Sequence, residues 1–361
     1  MRDKLGYNLR PHESPLKKIK RSFDLSATPE DLKSLSSAFC DYVGVKYAYP
    51  CASYSEALMA AFYAVGVGPD ANAATSAYNF PEVAGSIELL GGSPVFIDSD
   101  IPSFNMNMSH LELMINNELK AVVASHMFGM PCAMDSVMEA AGIYKLFVIE
   151  DVNTSLGAVY KGVKCGNWGH ISVFNFDSAS LIDCGCGGMI ATSNEKINAR
   201  LRAIMNLGYD GSGELRIPAP DFSMSPDIGR NISESLKFID DLLEYKYMIS
   251  KHYRRELMYH SEIILPEQNP YALNTFNYFP AYFKNPSTYS KMQKILSKLR
   301  FPKRKTPVVL PTSNYYKSKY SLSADSYKNA ALTFSNTLFL PNDFSSPFEK
   351  IEEMIKEVKG L

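Results

Sequence analysis

Residues 148–190 carry the side chains of this chain that are best suited to chemistry. The segment reads VIEDVNTSLGAVYKGVKCGNWGHISVFNFDSASLIDCGCGGMI. An apolar strand pattern ends in Glu150 and Asp151, and a phenylalanine-rich strand pattern then leads into a polar turn that contains Ser180. Open α/β sheets bind ligands at the carboxyl ends of their strands. Asp151 is therefore either a ligand-binding acid or a cap for a neighbouring helix.

The same segment holds two closely spaced thiols. One glycine separates Cys184 from Cys186, just before the pair Gly187-Gly188. Thiols this close could bind a metal or respond to oxidation, but two small thiols packed in a tight turn are commoner. The six cysteines of the chain include no zinc-like CxxC pair. We therefore predict no metal site and interpret the cysteines as cytosolic thiols.

Strand-like apolar runs alternate with helical patterns over much of the chain. The predicted strands are SPVFIDSD, LKAVVASHMFG (which runs into a loop), LFVIED, HISVFNF and GGMIATS. The helical pattern ALMAAFYAVGVG precedes them, and MDSVMEAAGIYK lies between the second and the third. This alternation predicts a mostly parallel sheet with right-handed crossovers. Asp151, Tyr78 and the turn after Phe176 fall at the carboxyl ends of predicted strands, where we expect the site.

The chain is predicted to form two domains. A large domain is expected over residues 1–255, with an N-terminal arm over residues 1–25, and a small α+β domain over residues 256–361. The large domain should begin with an amphipathic helix over residues 26–45. Its apolar residues recur near 3.6-residue spacing, and Pro29 stands at the first turn.

Composition excludes several classes of function. The 361 residues are 46% hydrophobic and 21% charged with a formal net charge of −1, so nothing in the charge favours binding to nucleic acid or to an anionic membrane. No apolar run reaches the roughly 18 residues of a membrane helix. The N-terminus shows no hydrophobic signal core, so we expect a cytoplasmic protein.

The order of elements in residues 148–190 resembles the cofactor segment of the DegT/DnrJ/EryC1/StrS family of pyridoxal-phosphate (PLP) sugar aminotransferases. In that family a strand ends in Glu-Asp, a phenylalanine-rich strand leads into the turn with the Schiff-base lysine, and a Gly-Gly pair follows. The resemblance covers nearly the whole chain. It implies the aspartate-aminotransferase-like fold (PLP fold type I), with a mostly parallel seven-stranded sheet, and a homodimer that builds its pocket from two chains.

The resemblance puts Ser180 at the position of that lysine, counted back from Gly187-Gly188. A serine hydroxyl cannot form an imine with an aldehyde, so ordinary transamination should fail. Residues 176–181 read FDSASL where the family commonly has FHPTKN, and this wholesale change indicates a natural loss. His126, in SHMFG, keeps a family position, but a lone histidine after a strand is more often structural. Ser180 and His126 are the candidate catalytic residues.

The resemblance also implies the positions that would hold the cofactor. Asp151 would keep the pyridine nitrogen protonated. Ser53 and Ser55 stand in the phosphate cup at the start of a helix. Tyr78 takes the place of the aromatic that stacks on the ring, and Thr154 replaces a glutamine.

Several of these positions have changed in ways that disfavour tight phosphate binding. Tyr54 replaces a glycine that permits close backbone approach. Glu56 adds a carboxylate, and like charges at ~4 Å cost on the order of 4 kcal/mol at an effective dielectric near 20; the alternative is an ordinary acid at a helix start. Asp221 begins the stretch DFSMS, which corresponds to the Asn-x-Arg motif that a partner chain contributes, and Ser223 replaces its arginine.

Three hypotheses on function follow. The first is a protein of nucleotide-sugar or surface-polysaccharide metabolism that acts on a sugar nucleotide or an amino sugar without covalent PLP. We expect no covalently bound cofactor, and tight binding of PLP or of pyridoxamine phosphate (PMP) is disfavoured. The second is a non-catalytic subunit that pairs with itself or with an active paralogue. The third is a PLP- or PMP-dependent aminotransferase or dehydratase that holds its cofactor noncovalently.

Overall fold

The computed structural model describes residues 26–101 and 103–360. In chain order the strands are β1 (Tyr47–Cys51), β2 (Asn72–Ser76), β3 (Tyr78–Asn79), β4 (Pro94–Ile97), β5 (Leu119–Ser125), β6 (Phe147–Asp151), β7 (Val159–Tyr160), β8 (Val163–Lys164), β9 (Ile171–Asn175), β10 (Gly188–Thr192), β11 (Ile263–Ile264), β12 (Ala272–Leu273), β13 (Phe279–Phe283), β14 (Val308–Val309) and β15 (Thr337–Leu340). The helices are α1 (Pro29–Val43), α2 (Tyr54–Val65), α3 (Pro81–Leu89), α4 (Met108–Met114), α5 (Met134–Tyr144), α6 (Glu195–Ile204), α7 (Pro226–Leu236), α8 (Ile239–Leu257), α9 (Pro286–Leu299), α10 (Asn314–Tyr320), α11 (Lys328–Asn336) and α12 (Phe348–Lys359).

A seven-stranded sheet organises the first part of the chain. Its strand order is β1-β10-β9-β6-β5-β2-β4. The strands from β9 to β4 pair in parallel, and β10 and β1 extend the sheet as antiparallel strands. This confirms the predicted mostly parallel sheet.

Helices cover both faces of this sheet. Every residue of β2 and β9 is buried, as is typical of parallel strands between two helical layers. On one face Ala61 and Phe62 of α2 share a core with Val173 and Ile190. On the other face, α5 shares a core with residues of β5 and β6. Because both faces are closed, polar side chains can meet a ligand at the carboxyl ends of the strands.

The last third of the chain forms a smaller sheet of β11, β13 and β15, which pair antiparallel. Tyr253 of α8, Phe279 of β13, Met292 of α9 and Ile351 of α12 share its core. The predicted domain boundary at residue 255 lies near the C-terminal end of α8 and stays a prediction. β14 nevertheless pairs with β3, the short strand that follows β2 of the large sheet in the chain.

The first helix begins close to its predicted position. Pro29 occupies the first turn of α1, and the backbone amide of Thr28 donates to Asp31 Oδ2 at 2.7 Å. Gly44 ends the helix with a positive φ of 89°, a conformation that glycine adopts without a steric cost. The arm predicted over residues 1–25 lies outside the described residues. Across residues 26–101 and 103–360, no helix combines the length and apolarity that a bilayer crossing requires.

Candidate active site

Asp151 ends β6 at the carboxyl edge of the sheet. Its side chain is 2% exposed. Oδ2 accepts a hydrogen bond from Ser125 Oγ at 2.7 Å, and Oδ1 accepts from the hydroxyl of Tyr54 at 2.7 Å and from the amide of Asn153 at 3.1 Å. Burial raises the pKa of Asp151, and the hydrogen bonds from Ser125 and Tyr54 act against that rise. The structure thus presents a buried carboxylate with a donor on each oxygen.

Parallel strand register explains why Ser125 reaches this carboxylate. Ser125 ends β5 and lies beside Asp151 in the ladder. Asn79 supports the pair from β3, since its Nδ2 donates to Ser125 Oγ at 2.9 Å and to Thr75 Oγ1 at 3.1 Å. Sequence analysis missed Ser125 and Asn79. The signal that could have found Ser125 is its position at the end of β5, the strand beside that of Asp151. Asn79 lies on β3, outside this sheet, and no strand pattern indicated it.

Tyr54 is the first residue of α2, and its side chain crosses from the helix start to Asp151. It is 4% exposed. Ser53 caps the helix by accepting from the amide of Glu56 at 3.2 Å. Burial and the neighbouring carboxylate of Asp151 raise the pKa of the Tyr54 hydroxyl well above its ordinary value, so it remains a neutral donor. Tyr54, which was predicted only as a replacement for a glycine, therefore also donates a hydrogen bond to Asp151. No sequence pattern indicated this role.

The start of α2 still offers donors to an anion. Its first-turn amides belong to a 12-residue helix, and the half-buried side chains of Ser53 and Ser55 lie at this end. Glu56 is the unfavourable member, because its Oε2 is buried and lacks a hydrogen-bond partner in the part of the chain that is described. The helix start therefore has both donors and a carboxylate where the phosphate cup is predicted, and phosphate binding there stays a prediction.

The turn after β9 holds Ser180 in a buried position. Asp177 shapes this turn, since its Oδ1 accepts from the amide of Ala179 at 2.8 Å and from Asn175 Nδ2 at 2.6 Å. Ser180 is 5% exposed, and its hydroxyl has no partner among the described residues. A buried hydroxyl without a partner is uncommon in folded proteins, so a water or a ligand is the expected partner of Ser180.

Lys305 reaches the same turn from the distant part of the chain. Its ammonium forms ion pairs with Asp177 Oδ2 at 3.3 Å and with Glu82, at the start of α3. Partial burial lowers the pKa of Lys305, but the carboxylates of Glu82 and Asp177 outweigh that effect and raise it. Lys305 is therefore a charged ammonium beside the turn of Ser180. Sequence analysis did not single it out.

The structure places His126 in a different network from Asp151. Its Nδ1 accepts from the amide of Cys132 at 3.0 Å, so the proton lies on Nε2, which donates to Glu150 Oε2 at 3.1 Å. The carboxylate of Glu150 also accepts from the amides of Gly166 at 2.7 Å, Trp168 at 2.7 Å and Gly169 at 2.6 Å. Both ring nitrogens of His126 are thus engaged by the protein itself.

Tyr78 and Thr154 both contact Phe128, which follows His126 by two residues. The ring of Tyr78, 2% exposed, lies 6.1 Å from the ring of Phe128 and 6.3 Å from that of Phe334 between centroids. Thr154 Oγ1 donates to the carbonyl of His126 at 3.1 Å and accepts from the amide of Phe128 at 2.9 Å. These bonds hold Phe128 at a positive φ of 62°. The proposed contacts of Tyr78 and Thr154 with a cofactor stay predictions.

The segment that begins at Asp221 lies beside the start of α2 in the same chain. The amide of Ala52 donates to the carbonyl of Phe222 at 3.0 Å, and Ser223 forms a bridge with Cys51. Asp221 is exposed and accepts from the amide of Ser223 at 2.8 Å. Its predicted role in the site of a second copy stays a prediction. Within residues 26–101 and 103–360 no group of three His, Cys, Asp or Glu side chains is arranged to hold a metal.

Comparison with known proteins gives a family match over almost the full length. The model of the DegT/DnrJ/EryC1/StrS aminotransferase family matches residues 15–359. The chain is 33% identical over 199 residues to the GDP-perosamine synthase of Caulobacter vibrioides, a match that covers 55% of this chain and 54% of that protein. It is 24% identical over 353 residues to the spore coat polysaccharide biosynthesis protein SpsC of Bacillus subtilis, covering 93% and 90%. The first of these matches spans only about half of the relative's length.

Solved structures show the same fold. An aminotransferase from Psychrobacter cryohalolentis has a TM-score of 0.86 at 18% identity, with 92% of this chain and 91% of that chain covered. The putative sugar aminotransferase Spr1654 from Streptococcus pneumoniae, in its PLP form, has a TM-score of 0.82 at 18% identity, with coverage of 92% and 91%. Its PMP form has a TM-score of 0.83 at 18% identity and covers 92% of each chain.

These findings correct the expectation that tight binding of PLP or PMP is disfavoured. That expectation was wrong, because the family that matches the chain is one of aminotransferases. Among solved structures with this fold, Spr1654 has a PLP form and a PMP form. The physical reason is that two parts of the site do not depend on a lysine. A buried Asp151 and an amino-terminal helix end provide for a pyridine nitrogen and a phosphate without any lysine. The donor set can hold the cofactor once Tyr54 leaves Asp151, and the carboxylate of Glu56 beside the phosphate position opposes binding.

Glu150 provides a test of which network is structural. Glu150→Gln should lower the free energy of unfolding by about 3 kcal/mol, because the amide group would face backbone donors that need an acceptor. Glu139→Gln is the control, since Glu139 is exposed on α5. Urea unfolding of both variants measures the difference. A loss below ~0.5 kcal/mol for Glu150→Gln, as for a surface change, would contradict the structural role.

Proposed function

Because this chain belongs to the DegT/DnrJ/EryC1/StrS aminotransferase family, we propose that it is a PLP- or PMP-dependent enzyme of nucleotide-sugar biosynthesis for surface polysaccharides. The cofactor is held without a covalent bond to residue 180. The observation that carries this proposal is the buried carboxylate of Asp151 at the carboxyl edge of the sheet, beside β9, the strand that leads into the turn of Ser180.

The chain's own residues would hold the cofactor at two ends. Asp151 would receive the protonated pyridine nitrogen, with Ser125 and the amide of Asn153 keeping the carboxylate in place. The first amides of α2, with Ser53 and Ser55, would receive the phosphate. When bound, the cofactor supplies an electron sink for reactions at a carbon next to nitrogen.

Other residues of the site would transfer protons or donate hydrogen bonds to the ligand. Lys305 carries its proton at Nζ, between Glu82 and Asp177, and is a candidate to move one near the reacting carbon. The Ser180 hydroxyl is buried without a protein partner among the described residues, so it is a candidate hydrogen-bond donor to a ligand. His126 is a poorer candidate because both of its nitrogens are engaged.

The names of relatives support the class of substrate. One is a GDP-perosamine synthase, and another, from Pseudomonas aeruginosa, is a UDP-2-acetamido-2-deoxy-3-oxo-D-glucuronate aminotransferase that is 31% identical over 181 residues, half of each protein. We therefore propose a nucleotide-linked sugar as the ligand. A homodimer in which the segment at Asp221 completes the site of the second copy, and a cytoplasmic location, belong to the same proposal.

A non-catalytic subunit is the second candidate. Several of the cofactor positions that the family resemblance implies carry other residues here, among them Ser180, Tyr54 and Glu56. Changes at several such positions together are expected when selection no longer maintains catalysis. Purification of the chain in a complex with an active relative would favour this candidate. Turnover of a nucleotide sugar by the purified chain with PLP or PMP would exclude it.

Ligand-dependent stability tests the proposed function. PMP should raise the melting temperature, and a UDP-, GDP- or dTDP-linked sugar should raise it further, because a ligand that binds only the folded state stabilises it by RT ln(1 + [L]/Kd). Thermal unfolding with each ligand at the same concentrations is the measurement, with the free nucleoside diphosphates as controls. Absence of any shift with PMP, PLP and the whole sugar panel would contradict the proposal.

Residue 180 offers a direct test of the missing attachment. The Ser180→Lys variant incubated with PLP and then borohydride should carry a pyridoxyl group on residue 180, because a lysine amine there would meet the aldehyde. Ser178→Lys is the matched control, since Ser178 is exposed on the same turn. Peptide mass spectrometry locates the adduct. An equal adduct on both variants, or a pyridoxyl group on Lys305 of the wild type, would contradict the assignment.

A further inference from the structure

Tyr54 lies where a cofactor would have to bind. We propose that Tyr54 is a displaceable occupant of the cofactor position: its hydroxyl binds Asp151 in the cofactor-free protein and has to leave that carboxylate before a pyridine nitrogen can take its place. This inference rests on the proposed function, because it concerns how PLP or PMP enters the same site. It assigns to Tyr54 control over cofactor affinity.

Asp151 already accepts hydrogen bonds from the protein at both of its carboxylate oxygens. The carboxylate is 2% exposed, and each of its oxygens already accepts a hydrogen bond of 2.7 Å, one from Tyr54 and one from Ser125. A pyridinium N–H directed at this carboxylate is a further strong donor in a closed space. The two oxygens have about four lone-pair sites and three are in use, so the limit is space: a side chain has to make room for the pyridine ring.

Tyr54 is the donor that can move. Ser125 ends a central strand in register with Asp151, and Asn79 holds its hydroxyl from a further strand. The third donor, the amide of Asn153, belongs to the backbone that follows β6. Tyr54 comes instead from the start of α2, and rotation about its own side-chain bonds would remove the hydroxyl without moving a strand.

The Tyr54 side chain runs between the two places where a cofactor would bind. It begins at the first residue of α2, where helix amides would receive a phosphate, and it ends at Asp151, where the pyridine nitrogen would bind. The side chain thus joins the two ends that a bound cofactor would join, with a flat six-membered ring between them. Tyrosine and cofactor compete for one volume as well as for one hydrogen-bond acceptor.

The local charges explain why the tyrosine stays in place when no cofactor is present. Glu82 and Asp177 lie close enough to Tyr54 to contribute to the rise in its hydroxyl pKa, after the larger effects of burial and Asp151. A neutral hydroxyl beside several carboxylates donates a charge-assisted hydrogen bond, which is stronger than a neutral one. The free protein is therefore stable with Tyr54 bound to Asp151, and cofactor binding is weakened by that competition.

Binding of PMP to the full-length chain tests this inference, because PMP has no aldehyde and reports noncovalent affinity alone. Titration calorimetry on Tyr54→Phe should give a dissociation constant ~10-fold below that of the wild type, the factor expected when a hydrogen bond to a charged group no longer has to be broken. Tyr54→Gly, which also removes the ring, should bind at least as tightly as Tyr54→Phe. Circular dichroism checks that each variant is folded.

Tyr160 supplies the matched control. Its hydroxyl donates to Asp135 Oδ1 at 2.7 Å, the same length as the bond between Tyr54 and Asp151, and neither residue belongs to the site. Tyr160→Phe should therefore leave PMP affinity at the wild-type value. A gain in Tyr54→Phe alone identifies the bond to Asp151 as the cause.

The outcomes separate this inference from the proposed function. Detectable binding to Tyr54→Phe with none to the wild type would support the inference. PMP affinity in Tyr54→Phe equal to or weaker than that of the wild type would overturn it and leave the proposed function standing. Failure of PMP to bind every protein, Tyr54→Gly included, would overturn both.

Discussion

The buried carboxylate of Asp151 imposes the constraint around which the site is built. A carboxylate that is 2% exposed needs donors from the protein, and here they come from three separate elements. Ser125 belongs to the neighbouring strand β5, Asn153 to the loop that follows β6, and Tyr54 to the start of helix α2. These bonds join the helix start to the strand ends. Any ligand that uses Asp151 must enter this arrangement and replace part of it.

Strand alternation explains why one short stretch of sequence supports two distinct networks. Side chains of successive strand residues point to opposite faces, so Glu150 and Asp151 separate, as do Ser125 and His126 at the end of the neighbouring strand. Glu150 and His126 form one pair, which stabilises the loop at residues 166–169. Asp151 and Ser125 form the other pair, which belongs to the site. The acids differ in role because of the face they occupy.

Regular features of the site could be predicted from the sequence, but contacts between distant residues could not. Alternating strand and helix patterns predict the sheet, and the strand ending in Asp151 predicts where ligands bind. The bond between Tyr54 and Asp151 joins residues 97 positions apart, and that between Lys305 and Asp177 joins residues 128 apart. No local pattern specifies such pairs. The expectation that tight PLP or PMP binding is disfavoured was wrong, because it gave the serine at position 180 more weight than the buried Asp151 and the helix start.

A crystal structure of the protein with PMP is the most direct test of the claim that Asp151 and Tyr54 together govern the site. The account predicts the pyridine nitrogen within hydrogen-bonding distance of the Asp151 carboxylate, about 2.7–3.2 Å, and the Tyr54 hydroxyl turned away from it. Ser125 should keep its contact with Asp151. PMP bound elsewhere while Tyr54 still donates to Asp151 would contradict the account.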